Sequence, residues 1–125
     1  MLANSRVAAI LPVVDLERAK KFYEEKLGLQ GVEIPEGAMY ECGQGTVLAL
    51  YRRDTPTKAD HTAAGWEVDN VEELVQALGE KGVVFEQYDM PGLKTDGQGI
   101  ATMEGTKAAW FKDTEGNILS VIQMA

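Results

Sequence analysis

Residues Ala8–Leu29, AAILPVVDLERAKKFYEEKLGL, decide the fold. They read in order as a strand, a helix cap, an amphipathic helix and a glycine stop. Small or β-branched residues fill Arg6–Val14, and Asp15 ends the run with a carboxylate able to accept from the amides of a first helical turn. Leu16, Ala19, Tyr23 and Leu27 then recur at helical spacing, with Phe22 widening the stripe. Gly28 stands where a left-handed residue closes a helix, so the spacing predicts a helix over Leu16–Leu27. A weaker copy, AAGWEVDNVEELVQALGEKG, begins at Ala63; laying Asp15 over Asn70 sets an offset of 55 residues. Ala8 then falls on Ala63, Val13 on Val68 and Glu17 on Glu72, as in two copies of one supersecondary unit.

Outward from the first helix, Gly31–Pro35, Ala38–Cys42 and Thr46–Tyr51 read as short strands joined by turns at Glu36-Gly37 and Gly43-Gln44-Gly45. The first unit is therefore βαβββ. Polar residues from Arg52 to Thr62, with Pro56 among them, read as a connector. In the second unit Ala63–Val68 is a strand. Asn70 and Glu73 have capping-box spacing, and Val71, Leu74, Val75 and Leu78 follow the helical template up to Gly82. Val83–Tyr88 is expected as the next strand. Lys107–Lys112 and Ile118–Gln123 form a closing hairpin around Asp113–Asn117. Laying Gly45 over Gly116 gives an offset of 71, so the second unit carries about 16 extra residues. The glycine-rich stretch Met90–Gly105 is their natural place, as a surface loop or a lid. The expected organisation is one domain, 1–125, with module one at 5–51, connector 52–62 and module two at 63–125.

Composition narrows the function. Twelve basic against 20 acidic residues give a net charge of −8. That balance argues against nucleic acid and against an anionic membrane surface, since both attract mainly through positive charge. Cys42 is the single cysteine, so no intrachain disulfide forms. The opening residues lack the charge cluster and apolar run of a signal peptide or membrane span, and the expected location is cytoplasmic. GxSxG, GxGxxG and GxxxxGK[ST] are all absent.

LPVVDLERAKKFYEEKLGL, GWEVDNVEELVQALGEKGVVF and the ending AAWFKDTEGNILSVIQ resemble the vicinal oxygen chelate superfamily of glyoxalases, extradiol dioxygenases and bleomycin-resistance proteins. DTEGNILSV is similar to its usual DPxGNxxEx ending. The resemblance implies an α+β fold of two βαβββ modules, each a curved mixed sheet with its helix on the convex face, the concave faces enclosing a cavity. It also implies a homodimer. In metal-dependent members each module supplies one ligand from its first strand and one from its last. The corresponding positions here are Ala8, Ala49, Ala63 and Ser120.

Alanine has no donor atom, and an un-ionised serine hydroxyl is a poor ligand for ions that want imidazole, thiolate or carboxylate. His61, two residues before Ala63, reads as a solvated histidine of the connector, with a shifted metal site as the alternative. No cofactor is expected. If Ala8 faces the cavity, alternation brings Ile10, Ala49, Tyr51, Ala63, Glu67, Ser120 and Ile122 to the same lining. Tyr40 and Trp110 either stack on a flat ligand or belong to the core. Glu67 reads as a cation-binding group, as a general base or as a rim residue paired with Lys or Arg. The leading expectation is a metal-independent, dimeric binder of a small organic molecule, cationic or aromatic. The alternatives are a lyase or isomerase acting through Glu67 or a metal at His61, and an interaction module with a vestigial cavity.

Overall fold

The computed structural model describes Met1–Ala125 and divides into two compact units. The first comprises Met1–Lys58 with Thr114–Gly116; the second comprises Ala59–Asp113 with Asn117–Ala125.

In the first unit β1 (Ala8–Val13) leads into α1 (Leu16–Lys21), a π-helical segment (Phe22–Lys26), β2 (Gly31–Ile34), β3 (Gly37–Glu41) and β4 (Val47–Arg52). The sheet runs β1-β4-β3-β2, with β1 and β4 parallel and the other pairs antiparallel. A parallel pair needs a long crossover, and α1 with the β2–β3 hairpin supplies it. Asp15 caps α1 by accepting from the Arg18 amide at 3.0 Å. The sequence predicts α-helix to Leu27, but the helix widens after Lys21, where Leu27 N–H donates to the Phe22 carbonyl. The wider turn keeps two consecutive rings on the buried side: Phe22 meets Tyr23 edge-on at 5.5 Å, and Tyr23 stacks on Tyr40 at 6.1 Å. Gly28, at φ 73°, ends the helix as expected.

Alternation along the strands sorts the sheet into a covered face and an open one. Leu11, Val13, Leu48, Leu50 and Ala38 are buried on the face that carries the helix, while Ala8 and Ile10 on the other face are exposed. Gly31 is required by packing, because any Cβ there would strike the Met39 carbonyl oxygen.

The second unit repeats this arrangement. β5 (Thr62–Glu67), α2 (Val71–Glu80), β8 (Ile100–Met103), β9 (Thr106–Lys112) and β10 (Ile118–Gln123) form a sheet in the order β5-β10-β9-β8, again with one parallel pair. Asn70 caps α2 through the Glu73 amide, and Gln123 Oε1 accepts from the Val71 amide. Beneath α2 lie Leu119, Val121, Ala109, Phe111 and Ile100, all buried.

One element differs from expectation. Val83–Tyr88 is not a strand: toward β9 it makes a single bridge, Phe85 to Phe111, and a bond from the Glu86 amide to the Trp110 carbonyl. The sheet edge beyond those residues is taken by β8, which pairs with Thr106–Ala109. This fourth strand comes from inside the stretch expected to be loop. The rest of that stretch is also built. Between Tyr88 and β8 the chain forms a small hairpin, β6 (Asp89–Met90) with β7 (Leu93–Lys94), then a turn in which Asp96 Oδ1 accepts from the Gln98 and Ile100 amides. At the hairpin base Thr95 is buried, with Tyr88 N–H donating to its Oγ1 at 2.9 Å. The extra residues are therefore spent on hydrogen-bonded structure.

Candidate functional site

Each open face is built by the same register. In the first unit Ile10, Ala49, Met39 and Val32 are paired neighbours across all four strands. This row is apolar; Ile10 at 62%, Val32 at 64% and Met39 are exposed, while Ala49 between them is buried. Pro12 and Tyr51 lie one row along, and Tyr51 is exposed. Ala8 sits diagonally from Ala49 on the same face of the parallel pair. Of the residues expected in the lining, Ala8, Ile10, Ala49 and Tyr51 thus share one face of one sheet.

Tyr40 does not join them. It pairs with Leu48, so it points to the covered face, where it is buried against Tyr23. Its hydroxyl donates to Glu24 Oε2 at 2.8 Å, and burial, reinforced by that carboxylate, pushes the phenol far above its ordinary range. Tyr40 is a core residue, and its place in a ligand-binding face is withdrawn. Parity counted along β3 from Met39 would have found this.

In the second unit Gly65, Ser120 and Trp110 form one register row; Glu67, Ile122, Ala108 and Ala101 form the next, in which Glu67 is exposed and the two alanines are buried. Ala63 falls at a register shift in β5 and is half-buried. Ser120 Oγ fills the space a side chain at position 65 would need, which accounts for the glycine. Trp110 is half-buried, with the Tyr88 ring edge-on to it at 5.6 Å and an interplanar angle of 81°. Burial, and to a lesser degree the Glu86 carboxylate, raises the Tyr88 phenol, so it is neutral at physiological pH. Glu86 also pairs with Lys112 at 3.5 Å. Glu67 is exposed and makes no side-chain hydrogen bond or ion pair, contrary to the rim-pairing alternative. Sequence reasoning passed over Tyr88 because it treated that residue as the end of a strand.

The donor set does not fit a divalent ion. Nowhere do three His, Cys, Asp or Glu side chains come together in a way able to hold one. Ala8, Ala49 and Ala63 bring no donor atoms, and Ser120 brings a neutral hydroxyl. His61 lies exposed just before β5, with Nδ1 3.2 Å from the Thr62 carbonyl oxygen. Cys42 is half-buried, with no histidine beside it in sequence.

Two recesses lie within single units. One, of about 690 Å³, is lined by Val14, Asp15, Glu33, Ile34, Glu36 and Arg52, and its charges are largely paired: Arg52 with Glu36, and Glu33 with Lys20. The other, about 360 Å³, lies under the β6–β7 hairpin beside Tyr88 and Thr95. None of the residues expected to line the cavity borders either recess. No helix is long and apolar enough to cross a membrane.

A family model described as Glyoxalase/Bleomycin resistance protein/Dioxygenase superfamily matches residues 5–121. Among solved structures, a lactoylglutathione lyase from Agrobacterium tumefaciens superposes with TM-score 0.72 at 18% identity, covering 97% of this chain and 95% of that one. The fosfomycin resistance protein FosX from Listeria monocytogenes gives 0.74 at 10% identity, covering 98% and 94%. At such identities the likeness is one of fold. A curated protein, GTPase Der from Streptococcus thermophilus, is 28% identical over 85 residues, 68% of this chain. The chain spans 17% of the length of the curated relatives it matches. It lacks the phosphate-cradling GxxxxGK[ST] motif, so no nucleotide chemistry is carried over.

Proposed function

Because the chain belongs to the glyoxalase/bleomycin resistance protein/dioxygenase superfamily, we propose that it is a metal-independent member that binds a small organic molecule, cationic or aromatic, on its open sheet faces. One observation carries the reading. The positions that would grip an ion, 8, 49, 63 and 120, hold three alanines and a serine, and the faces around them carry apolar and aromatic side chains, of which Ile10, Val32 and Tyr51 are exposed and Trp110 half-buried. Such a lining gains free energy by removing apolar ligand surface from water, and a few polar points fix orientation. A net charge of −8 raises the local concentration of a cationic ligand.

A thermal-shift screen of the purified protein against cationic, aromatic and neutral small molecules tests this, since a ligand of the native state raises the apparent melting temperature. Elemental analysis runs beside it. A stoichiometric transition metal, or a screen in which no compound stabilises the protein, refutes the proposal.

A second reading, a lyase or isomerase using Glu67 as general base, is favoured by the absence of any partner for that carboxylate. Glu67→Gln would abolish turnover in that case.

A further inference from the structure

We propose that the open face of the second unit is a subsite for the flat end of a ligand. The occupant is a bicyclic or tricyclic aromatic bearing a permanent or protonated cationic nitrogen, stacked in the Trp110–Tyr88 corner with its charge toward Glu67. The inference rests on the small-molecule reading above and adds which face, which residues and which chemistry.

The corner is preformed. Tyr88 meets Trp110 nearly at a right angle, so the two rings form an aromatic corner. The backbone of Tyr88 is fixed, because its N–H and carbonyl are both held by Thr95. A rigid aromatic corner loses little entropy on binding and presents a π-face to a cation or a flat ring. Beside Trp110 lies Ser120, whose hydroxyl can orient a polar edge of the ligand; beyond Ser120 is Gly65, which adds no side chain. The floor between Trp110 and β5 is therefore low.

Charge points the same way. Glu67 is exposed on this face and unpaired, while Lys112, the cation on the same face, is held by Glu86. The face offers a ligand negative charge and little free positive charge. Length can be worked from the register. Glu67 and Trp110 are two strands and one row apart, which places their Cα atoms about 12 Å from each other. That separation, less the reach of the two side chains, is on the scale of a fused-ring cation; a simple ammonium ion is too short to reach both.

The two tryptophans make the test selective. Trp110 is on the open face, whereas Trp66 pairs with Val121 on the covered one, so Trp66 serves as an internal control for folding. The ¹⁵N-labelled protein is titrated with N-methylquinolinium, with quinoline at a pH where it is neutral, and with tetramethylammonium, following both indole N–H signals. The Trp110 signal should move with both ring compounds and the Trp66 signal should not. N-methylquinolinium should bind about threefold to fivefold more tightly than quinoline, and Glu67→Gln should erase that margin. Trp110→Leu should weaken both ring compounds by about tenfold. Trp110→Phe and Tyr88→Leu serve where that variant does not fold. The subsite is refuted if the Trp110 signal does not respond, if tetramethylammonium binds as well as the ring cation, or if Glu67→Gln leaves the cation preference intact. A compound from the thermal-shift screen whose affinity ignores Trp110, Tyr88 and Glu67 would overturn this subsite and leave the broader reading standing. If no compound binds at all, both fall.

Discussion

Glu115 is the residue whose removal should be felt most outside the apolar cores. Its side chain is 1% exposed, and it belongs to the first unit. Oε1 accepts from the Val14 and Asp15 amides, each at 2.9 Å; Oε2 accepts from Arg18 Nε at 2.9 Å and from the Thr114 hydroxyl at 2.7 Å. Burial alone would raise this carboxyl, but the four donors outweigh it and hold it at about 2, against an ordinary 4.5. A depression of that size would correspond to about 3 kcal/mol if taken at face value. Arg18 is more than half exposed, so part of its attraction is screened, and about 2 kcal/mol is a fairer expectation for the ionised form. The folded carboxyl is depressed, so this stability is full above the unfolded value and fades as pH falls from about 5 toward 2. Glu115→Gln keeps one acceptor for the two amides but turns an N–H₂ toward Arg18. Urea unfolding should show the variant less stable by about 2 kcal/mol at pH 7, with the gap closing toward pH 2. Glu115→Ala, which strands two amides, should cost about 3 kcal/mol. If wild type and Glu115→Gln lose stability in parallel between pH 5 and pH 2, the carboxylate is not what the acid limb reports and the assignment is wrong.

Other substitutions test other parts of the account. Gly65→Ala should destabilise by about 1–2 kcal/mol because the new Cβ meets Ser120 Oγ, and Ser120→Gly should restore most of that loss; a double-mutant cycle showing simple additivity would contradict the contact. Tyr40→Phe should cost about 1 kcal/mol through the lost bond to Glu24 while leaving ligand affinity unchanged; an affinity loss would return Tyr40 to the binding face. Dialysis against a chelator, or addition of zinc or nickel, should leave the melting temperature within error, and a metal-dependent rise would show a site built from donors not recognised above. Light scattering at micromolar concentration should report a homodimer, which the family resemblance implies; a monomer would remove that part of the reading.

Much of the fold was legible because its signals are local and repeated. The cap at Asp15, the left-handed glycine at 28 and the alternation of Leu11 and Val13 against Ala8 and Ile10 each have one physical reading, and the second copy supports the first. Strand Ile118–Gln123 was placed to the residue. The misplaced strand had a non-local cause. Val83–Tyr88 has the composition of a strand, but β9 pairs along most of its edge with Ile100–Met103, and nothing local announces that competition. The π-helical segment depends on where two adjacent rings must lie, which is also a tertiary fact. At the site, parity was readable where strand bounds were right and failed for Tyr40, where no reference residue on β3 had been fixed. Glu115 was read only as part of a turn. Its one visible signal was a carboxylate inside a family motif, and its partners are about 100 residues away in sequence.

The sorting of residues between the two faces shows how a chain of this fold could do without metal ligands and keep its fold. Leu50, Val13 and Leu119 are fully buried on the covered faces, and truncating any of them to alanine should cost about 2–5 kcal/mol. Ile10, on the other face of the same strand as Val13, is 62% exposed and has little burial to lose. The same holds at positions 8 and 67, which are exposed. Stability therefore constrains the covered side of each sheet most tightly; Ala49, Ala101 and Ala108 are buried on the other sides, and the exposed positions there, such as 8, 10 and 67, are where chemistry can change. The two faces differ. The first unit presents an uncharged apolar row of Ile10, Ala49, Met39 and Val32, and the second presents an aromatic corner, a hydroxyl and a carboxylate. If ligand contact rather than packing maintains these faces, substitutions at Trp110 or Glu67 will alter affinity with little change in melting temperature, while substitutions at Leu50 or Leu119 will do the reverse.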